Sequence, residues 1–365
     1  MENSFGRRDF GKIALAGVPL ASTLLAAPRL FAQAKPNSRI NGVQIGAITS
    51  SFNGMAASEI MLAMLKIGLS EVELQSTHAE ALAGAPAANR GPGRGRGANT
   101  GPRTLNADGL MPRCANLPMV ILPPPSSERA PQTPEQEAAQ KKLWEWRAST
   151  TPETWQGVRK QFTDAGIDLR ILWYGLRLIG APVPSDEELD YVFQMAKGLG
   201  VRAISSSCTI PTAKRIVPVA AKYKIPWGGH TADNVHDLDQ FVNPDVYEEL
   251  LSFSPYFRIN LDLGYFTAAG FDAIPYIKKN HAKITDIHLK DRKRSKSLGG
   301  DITDDTLNNW PWGQGDSPIR EVLQLLKKEK YDISCNIEYE YSCRTTEDAV
   351  TEIGKCYEYA KMCLA

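Results

Sequence analysis

The amino-acid sequence predicts a single-domain (β/α)8 barrel that carries a long low-complexity insertion after its second strand. Two observations support this fold: eight short apolar runs alternate with amphipathic segments, and polar residues follow the last four runs. The chain has 365 residues, of which 42% are hydrophobic and 23% charged. This is ordinary globular composition, and the length accommodates a barrel of about 250 residues together with a leader and an insertion.

The apolar runs have the length and composition of β-strands. They lie at residues 43–48, 71–74, 168–174, 201–207, 225–230, 257–263, 284–289 and 333–339. Helical segments are predicted at residues 58–68, from 151 onward, 185–198, 212–223, 245–253, 271–280, 318–328 and 346–362. Such alternation indicates a parallel sheet with crossover helices, and eight units are enough to close a barrel. An open doubly wound sheet is the alternative, but residues 49–53 lack the glycine-rich phosphate loop that usually follows its first strand.

The insertion covers residues 79–149 and is predicted to be flexible. Its arginine-glycine stretch, residues 89–97, has no apolar side chains to bury. The later part, residues 135–146, is predicted to form a helix anchored by Trp144 and Trp146. Because the insertion follows a strand, we expect it to emerge on the C-terminal face of the barrel as a rim or lid.

Residues 1–34 have the pattern of a twin-arginine signal peptide. Arg7 and Arg8 precede an apolar run at 13–27, and residues 32–34 (Ala-Gln-Ala) form a small-x-small cleavage site. A single membrane anchor is the alternative, but the run is short for a span of about 20 residues. We therefore expect handling by the twin-arginine export machinery, a periplasmic location and no stable membrane anchor.

Charge and cysteine content narrow the possible partners. The formal net charge is +1, and loss of residues 1–34 leaves 38 basic against 39 acidic residues. A nearly neutral protein has no general attraction to nucleic acid, so no nucleic-acid partner is expected. The six cysteines form no CxxC pair, which disfavours a structural zinc site, whereas export permits a disulfide. The sequence does not determine the oligomeric state and is compatible with a homo-oligomer.

Four potential metal ligands lie at the ends of the last four predicted strands: His230, Asp262, His288 and Glu338. The carboxyl ends of parallel barrel strands converge, so these side chains are expected to surround one ion on a rim above the packed core. Two imidazoles and two carboxylates suit a divalent metal ion, manganese or zinc first and magnesium or cobalt second. Each residue alone has a plainer explanation, such as a helix cap for Asp262.

Several short motifs resemble one enzyme superfamily. Residues 262–265 (Asp-Leu-Gly-Tyr) are similar to its Asp-x-Gly-His element, and residues 287–291 (Ile-His-Leu-Lys-Asp) resemble its His-x-Lys-Asp element. Residues 313–316 resemble its Gly-x-Gly segment, and Glu338 its last-strand glutamate. The chain thus resembles the xylose-isomerase-like, or sugar phosphate isomerase/epimerase, superfamily from residue 43 to 364, outside the insertion.

The resemblance implies a metal set of Glu, Asp, His and Glu from the fifth to the eighth strand. Asp262, His288 and Glu338 match the last three positions, whereas Gly-Gly-His at 228–230 stands where the family has its fifth-strand glutamate. His230 either substitutes as a ligand or corresponds to the neighbouring histidine of the family. Tyr265 replaces the histidine of the Asp-x-Gly-His element.

These departures bear on the expected chemistry. Family epimerases use two carboxylates on opposite faces of the substrate, and of that pair Glu338 remains. We therefore expect a metal-dependent enzyme that acts at the carbon next to a metal-bound carbonyl of a sugar or keto-glycoside, by isomerisation, epimerisation or elimination. His230, Lys290 and Glu73 are candidate second proton carriers, although Glu73 is equally a structural carboxylate of the barrel interior.

Four aromatic side chains are candidates for stacking on the substrate: Trp173, Tyr265, Trp310 and Trp312. The two last lie after the seventh strand, where loops build barrel active sites. Packing inside the barrel is the alternative role for each of them.

Two other functions compete with the enzyme. A non-catalytic exported carbohydrate-binding protein on the same barrel is favoured by the missing fifth-strand glutamate. An endonuclease for abasic DNA, from the same superfamily, needs many histidines, and this chain has five.

The leader generates the first prediction. The mature protein should begin at Lys35, because the residues at 32 and 34 satisfy the cleavage rule. N-terminal sequencing of exported material measures this directly. Exported protein that still begins at Met1 and stays in the membrane fraction would contradict it.

Overall fold

The architecture is taken from a computed structural model, which describes residues 35–52, 54–86, 104–107, 109–111, 133–175, 184–231, 241, 243–294 and 308–365. Residues 36–365 form one compact unit. The predicted signal peptide, the arginine-glycine stretch and most of the predicted flexible insertion lie outside the described residues.

Eight parallel strands close into a barrel, as predicted. The strands of the described chain are β1 (Arg39–Ile40), β2 (Val43–Ile48), β3 (Glu71–Gln75), β4 (Asp168–Trp173), β5 (Ala203–Ser206), β6 (Trp227–His230), β7 (Phe257–Asp262), β8 (Ile284–Leu289), β9 (Asp291–Arg292), β10 (Asn309–Trp310) and β11 (Ser334–Ile337). The barrel order is β2-β3-β4-β5-β6-β7-β8-β11, and β2 pairs with both β3 and β11. The short β1 pairs with β2 in antiparallel orientation, and β9 pairs with β10 outside the barrel.

Helices follow the strands and cover the barrel. They are α1 (Ala57–Ile67), α2 (Ser76–Leu82), α3 (Pro134–Ser149), α4 (Pro152–Ala165), α5 (Asp186–Leu199), α6 (Ile210–Tyr223), α7 (Pro244–Phe253), α8 (Leu263–Ala268), α9 (Ala273–Asn280), α10 (Ile319–Glu329) and α11 (Ala349–Leu364). Most of them bury an apolar stripe against the strands; in α10, for example, Val322, Leu323 and Leu326 are at most 1% exposed.

Predicted and observed boundaries differ where local chemistry overrides hydrophobicity. The fifth barrel strand begins at Trp227 rather than at residue 225, because Pro226 has no N–H to donate to a neighbouring strand. The sixth strand ends at Asp262, whose side chain accepts a hydrogen bond from the Tyr265 backbone N–H and thereby starts α8. Helix α8 and the β9–β10 ribbon were not predicted, since both are too short to show a period.

The predicted helix of the insertion is present as α3. The rings of Trp144 and Tyr191 lie edge to face with centroids 6.2 Å apart, and those of Trp146 and Trp155 likewise at 6.1 Å. The Arg147 Nε lies 2.7 Å from a carboxylate oxygen of Glu80 in α2. These contacts hold α3 against the outer helices α2, α4 and α5, so α3 is part of the outer rim and its contacts do not support a lid over the barrel mouth.

The cysteines separate into two classes. Cys208, Cys335, Cys356 and Cys363 are buried free thiols, whereas Cys343 is disulfide-bonded. Cys343 packs with Met111, whose backbone N–H donates to the Cys343 carbonyl at 2.7 Å.

Among the described residues, no helix combines the length and the apolar character that crossing a membrane requires.

A buried ion pair lies near the amino ends of the barrel strands, opposite the predicted site. Glu71 is fully buried in β3, 3.3 Å from the Nε of Arg170, which also contacts Asp168 at 2.9 Å. Burial disfavours the charged carboxylate more strongly than Arg170 favours it, and the pKa of Glu71 rises from 4.5 to about 7.

This raised pKa makes stability depend on pH. The protonated Glu71 favours the folded state below pH 4.5, and that contribution is lost as pH rises to about 7; the shift corresponds to roughly 3 kcal/mol. Glu71→Gln removes the titration, so its free energy of unfolding should decline less between pH 5 and 8 than that of the wild type. Urea unfolding at several pH values measures the difference.

The exposed Glu321→Gln in α10 is the matched control and should follow the wild-type pH profile. Parallel pH profiles for wild type and Glu71→Gln would contradict the assignment of this titration to Glu71.

Candidate metal centre

Four side chains from adjacent strand ends meet at the carboxyl end of the barrel. They are the four predicted ligands, His230 of β6, Asp262 of β7, His288 of β8 and Glu338 after β11, and one donor atom of each lies within 4.8 Å of all the others. His230 Nε2 is 3.0 Å from His288 Nδ1 and 3.5 Å from Asp262 Oδ2, and His288 Nδ1 is 3.2 Å from Glu338 Oε2.

These separations suit ligands of one ion. Two atoms about 2.1 Å from the same metal are roughly 3.0–3.4 Å apart at the angles of octahedral or tetrahedral coordination. Asp262 Oδ2 and Glu338 Oε2 are buried and accept no well-aligned hydrogen bond, although both contact a lysine ammonium. The donor set and its spacing therefore fit a divalent metal ion, with His230 Nε2 as the donor from the fifth barrel strand.

His288 is fixed from below by a carboxylate. Its Nε2 lies 2.5 Å from Glu73 Oε2, deep in the barrel, while its Nδ1 faces His230 and Glu338. A histidine that donates one N–H to a carboxylate presents its other nitrogen to a metal in a fixed orientation. Glu73 is thus placed as the partner of His288 in the barrel interior, which corresponds to the structural alternative rather than to a proton carrier facing substrate.

A polar layer beneath the four ligands was missed by the sequence analysis. Asn336 Nδ2 lies 3.2 Å from Glu73 Oε2 and 3.4 Å from Asp286 Oδ2, and Asn260 Nδ2 lies 2.5 Å from Ser205 Oγ. Burial and the neighbouring Glu73 raise the pKa of Asp286 well above its ordinary value.

A signal for this layer exists in the sequence. Asn260, Asp286 and Asn336 each precede a predicted ligand by two residues, and alternate residues of a strand point to the same side. Polar residues with this spacing in apolar strands indicate a second inward-facing layer.

His230 and Asp262 are also held by side chains close to them. His230 Nδ1 lies 2.9 Å from Ser207 Oγ, which leaves Nε2 directed at the site. Asp262 Oδ1 caps α8, which is the alternative role predicted for this residue, and Oδ2 faces the histidines. Burial opposes ionisation of Asp262, but the Lys290 ammonium, His230 and His288 together outweigh it and hold the pKa of Asp262 well below its ordinary value.

Lys290 lies among three carboxylates. Its Nζ is 2.7 Å from Asp262 Oδ2, 3.0 Å from Glu338 Oε2 and 3.0 Å from Glu340 Oε2. Burial favours the neutral amine, yet these carboxylates outweigh it and raise the pKa of Lys290 well above its ordinary value. The predicted role of Lys290 as a proton carrier is therefore not the one its surroundings favour, because the three carboxylates stabilise the charged ammonium.

The four aromatic side chains predicted to form a wall against the substrate fall into two groups. The half-buried Trp173 lies at the site, its ring centroid 4.7 Å from that of His230, and the Tyr265 ring lies 3.9 Å from the Lys290 ammonium. Trp310 lies further out, beneath Arg344 at 3.5 Å. Trp312 is 8% exposed and packs edge to face on Tyr359 of α11, so the structure gives it a packing role rather than the predicted place in the wall.

Asp291 secures the loop that carries the predicted Gly-x-Gly segment. Its carboxylate accepts backbone N–H bonds from Gly313 at 2.8 Å, Gly315 at 2.9 Å and Ser317 at 3.1 Å. A Cβ on Gly315 would lie 2.0 Å from an Asp291 oxygen, so glycine is required there. The His-x-Lys-Asp element therefore combines a metal-ligand candidate, a buried cation and a loop anchor.

The expectation that the ligands sit on a rim above the core is wrong for Asp262, which is fully buried, and for His288. Its side chain is fully buried between Glu73 and Glu338. Burial favours neutral imidazole, but the two carboxylates outweigh it and raise the pKa of His288 well above its ordinary value. Metal binding at Nδ1 requires loss of that proton, so metal affinity should fall as pH falls.

Comparison with known proteins identifies the fold. No protein-family model and no curated protein match the sequence. Among solved structures, the zinc-bound IolI protein is similar with a TM-score of 0.54 at 13% identity, over 87% of this chain and 98% of that one. A xylose isomerase domain protein from Alicyclobacillus acidocaldarius gives a TM-score of 0.54 at 13% identity, over 88% and 99%.

A third structure, the probable 3-DHS dehydratase AsbF from Bacillus anthracis, gives a TM-score of 0.52 at 13% identity, over 85% of this chain and 97% of that one. The structural neighbours are thus xylose-isomerase-like barrels, and this chain shares their (β/α)8 fold. Within that fold, the described residues contain a candidate site for a divalent metal ion made of two histidines, an aspartate and a glutamate.

The burial of His288 generates a prediction about stability. His288→Ala should abolish metal binding and lower the free energy of unfolding by about 3–5 kcal/mol, because the buried Glu73 carboxylate loses its partner. Chemical denaturation and calorimetric titration with Mn2+ measure the two effects.

His281→Ala is the control, because it removes an imidazole just before β8, at the opposite end of that strand. It should neither abolish Mn2+ binding nor lower the free energy of unfolding by about 3–5 kcal/mol. A His288→Ala protein with the unfolding midpoint and Mn2+ affinity of the wild type would contradict the assignment.

Proposed function

We propose that the protein is a metal-dependent sugar isomerase, epimerase or lyase that acts at the carbon next to a substrate carbonyl. The observation that carries the proposal is the four-residue cluster of His230, Asp262, His288 and Glu338 at the carboxyl end of the barrel, where barrel enzymes place their active sites. The neighbours named above support a sugar-modifying enzyme of this general kind.

The four cluster residues would hold the ion, manganese or zinc by the chemistry of the donors. A bound divalent ion would polarise the substrate carbonyl and stabilise the negative charge that develops on its oxygen. Asp262 and His288 are fully buried, whereas the Glu338 side chain retains 12% exposure at the mouth. Substrate therefore approaches from the side of Glu338, with Trp173 and Tyr265 as the aromatic surfaces nearest the ligands.

Glu338 is the group proposed to remove the proton. It is the ligand-set carboxylate that reaches the mouth, and its Oε2 is held by His288 Nδ1 and Lys290 Nζ. A fixed carboxylate beside a carbon made acidic by a polarised carbonyl is a competent general base. Because Lys290 is ion-paired with three carboxylates and Glu73 lies below His288, one-base chemistry fits the site better than a two-carboxylate epimerisation.

We further propose that the protein acts outside the cytoplasm, in the periplasm, after twin-arginine export. The leader pattern and the disulfide at Cys343 both support this, since stable disulfides form in oxidising compartments. The substrate class is then a small sugar or keto-glycoside available in that compartment.

Glu338 provides the test of the enzymatic proposal. In D2O with Mn2+, the mature protein should exchange deuterium into the carbon next to the carbonyl of at least one member of a keto-sugar and keto-glycoside panel. NMR follows this exchange. Glu338→Gln should slow it by about 100-fold or more, because the general base is lost, while the exposed Glu347→Gln should retain the wild-type rate.

A carbohydrate-binding protein is the second candidate, favoured by the histidine in place of the fifth-strand glutamate. Saturable binding of a sugar without exchange, elimination or isomerisation of any panel member would favour it and contradict the enzymatic proposal.

A further inference from the structure

A lysine ammonium is built into the candidate metal centre. The Lys290 side chain is 2% exposed, and its ammonium contacts the carboxylates of Asp262, Glu338 and Glu340 at 2.7–3.0 Å. The ammonium donates a hydrogen bond to Glu340 Oε2 and forms ion pairs with Asp262 and Glu338. The Tyr265 ring face covers the same nitrogen at 3.9 Å.

Two of these three oxygens are also the atoms that face the histidines. Asp262 Oδ2 lies 2.7 Å from Lys290 Nζ and 3.5 Å from His230 Nε2. Glu338 Oε2 lies 3.0 Å from Lys290 Nζ and 3.2 Å from His288 Nδ1. Lys290 and a metal ion would therefore share the same two oxygens.

The lysine is held in place along its length. A Cβ on Gly264 would lie 2.9 Å from Lys290 Cγ and 3.0 Å from its Cβ, so the turn after β7 packs directly on the lysine stem. The ammonium therefore remains beside Asp262 and Glu338, and its charge acts on any second cation at these oxygens.

We propose that Lys290 is an internal counter-cation, a positioning residue that keeps the carboxylates in place before metal is loaded and weakens the binding of the ion. Without Lys290, the buried Asp262 would lose its charged partner, which destabilises the metal-free fold. Without that positive charge, a divalent ion would meet less repulsion and more negative ligands. The inference rests on the proposed metal site.

The test compares Lys290→Met with the wild type in two measurements on the mature protein. In EDTA, the melting temperature of Lys290→Met should be lower. In calorimetric titration with Mn2+, its affinity should be higher by roughly tenfold to a hundredfold, since a unit charge close to the ion is removed. Lys293→Met, which removes a half-exposed charge paired with Asp316 near the mouth, is the matched control and should change neither quantity appreciably.

Each outcome has a defined meaning. If the wild type binds Mn2+ and Lys290→Met binds it equally well or more weakly, the counter-cation proposal is wrong. The proposed metal site is then still supported. A wild type that binds no Mn2+ overturns the metal site and the counter-cation together. Folding of Lys290→Met with Mn2+ but not in EDTA supports the proposal. If Lys290→Met folds in neither, Lys290→Gln replaces it under the same two criteria.

Discussion

Burial of charge on the barrel axis is the constraint on which the site depends. Glu73, Asp262, Asp286, His288 and Lys290 are each at most 1% exposed, and isolated charges in such surroundings are unstable. They are tolerated because positive and negative groups alternate from the interior toward the mouth. Below His288, burial and the neighbouring Glu73 raise the pKa of Asp286, and above His288 Lys290 joins the carboxylates. Orientation of the candidate ligands follows from this pairing.

The (β/α)8 geometry supplies the positions and the sequence supplies the chemistry. Parallel strands bring residues distant in sequence, such as Glu73 and His288, into direct contact, and alternation along each strand stacks one polar layer on another. Asp262 likewise serves both fold and site. One of its carboxylate oxygens caps the short helix α8, and the other faces the histidines. Fold and site therefore constrain each other at the strand ends.

Much of this arrangement could be predicted from the sequence, and the reasons for success and failure are physical. Hydrophobic periodicity located all eight barrel strands, and polar residues at the ends of four of them predicted the cluster of His230, Asp262, His288 and Glu338. The partners of those ligands depend on long-range register: no local pattern tells that Glu73 faces His288, or that Lys290 is surrounded by three carboxylates. The burial of His288 was misjudged for the same reason.

The central claim is that these four side chains form one coordination sphere. Anomalous diffraction at the zinc edge, from crystals of the mature protein grown with Zn2+, tests it most directly. The account predicts a single zinc peak about 2.0–2.2 Å from donor atoms of His230, Asp262, His288 and Glu338. A zinc peak elsewhere, or no peak at this end of the barrel while Lys290 still binds the two carboxylates, would contradict it.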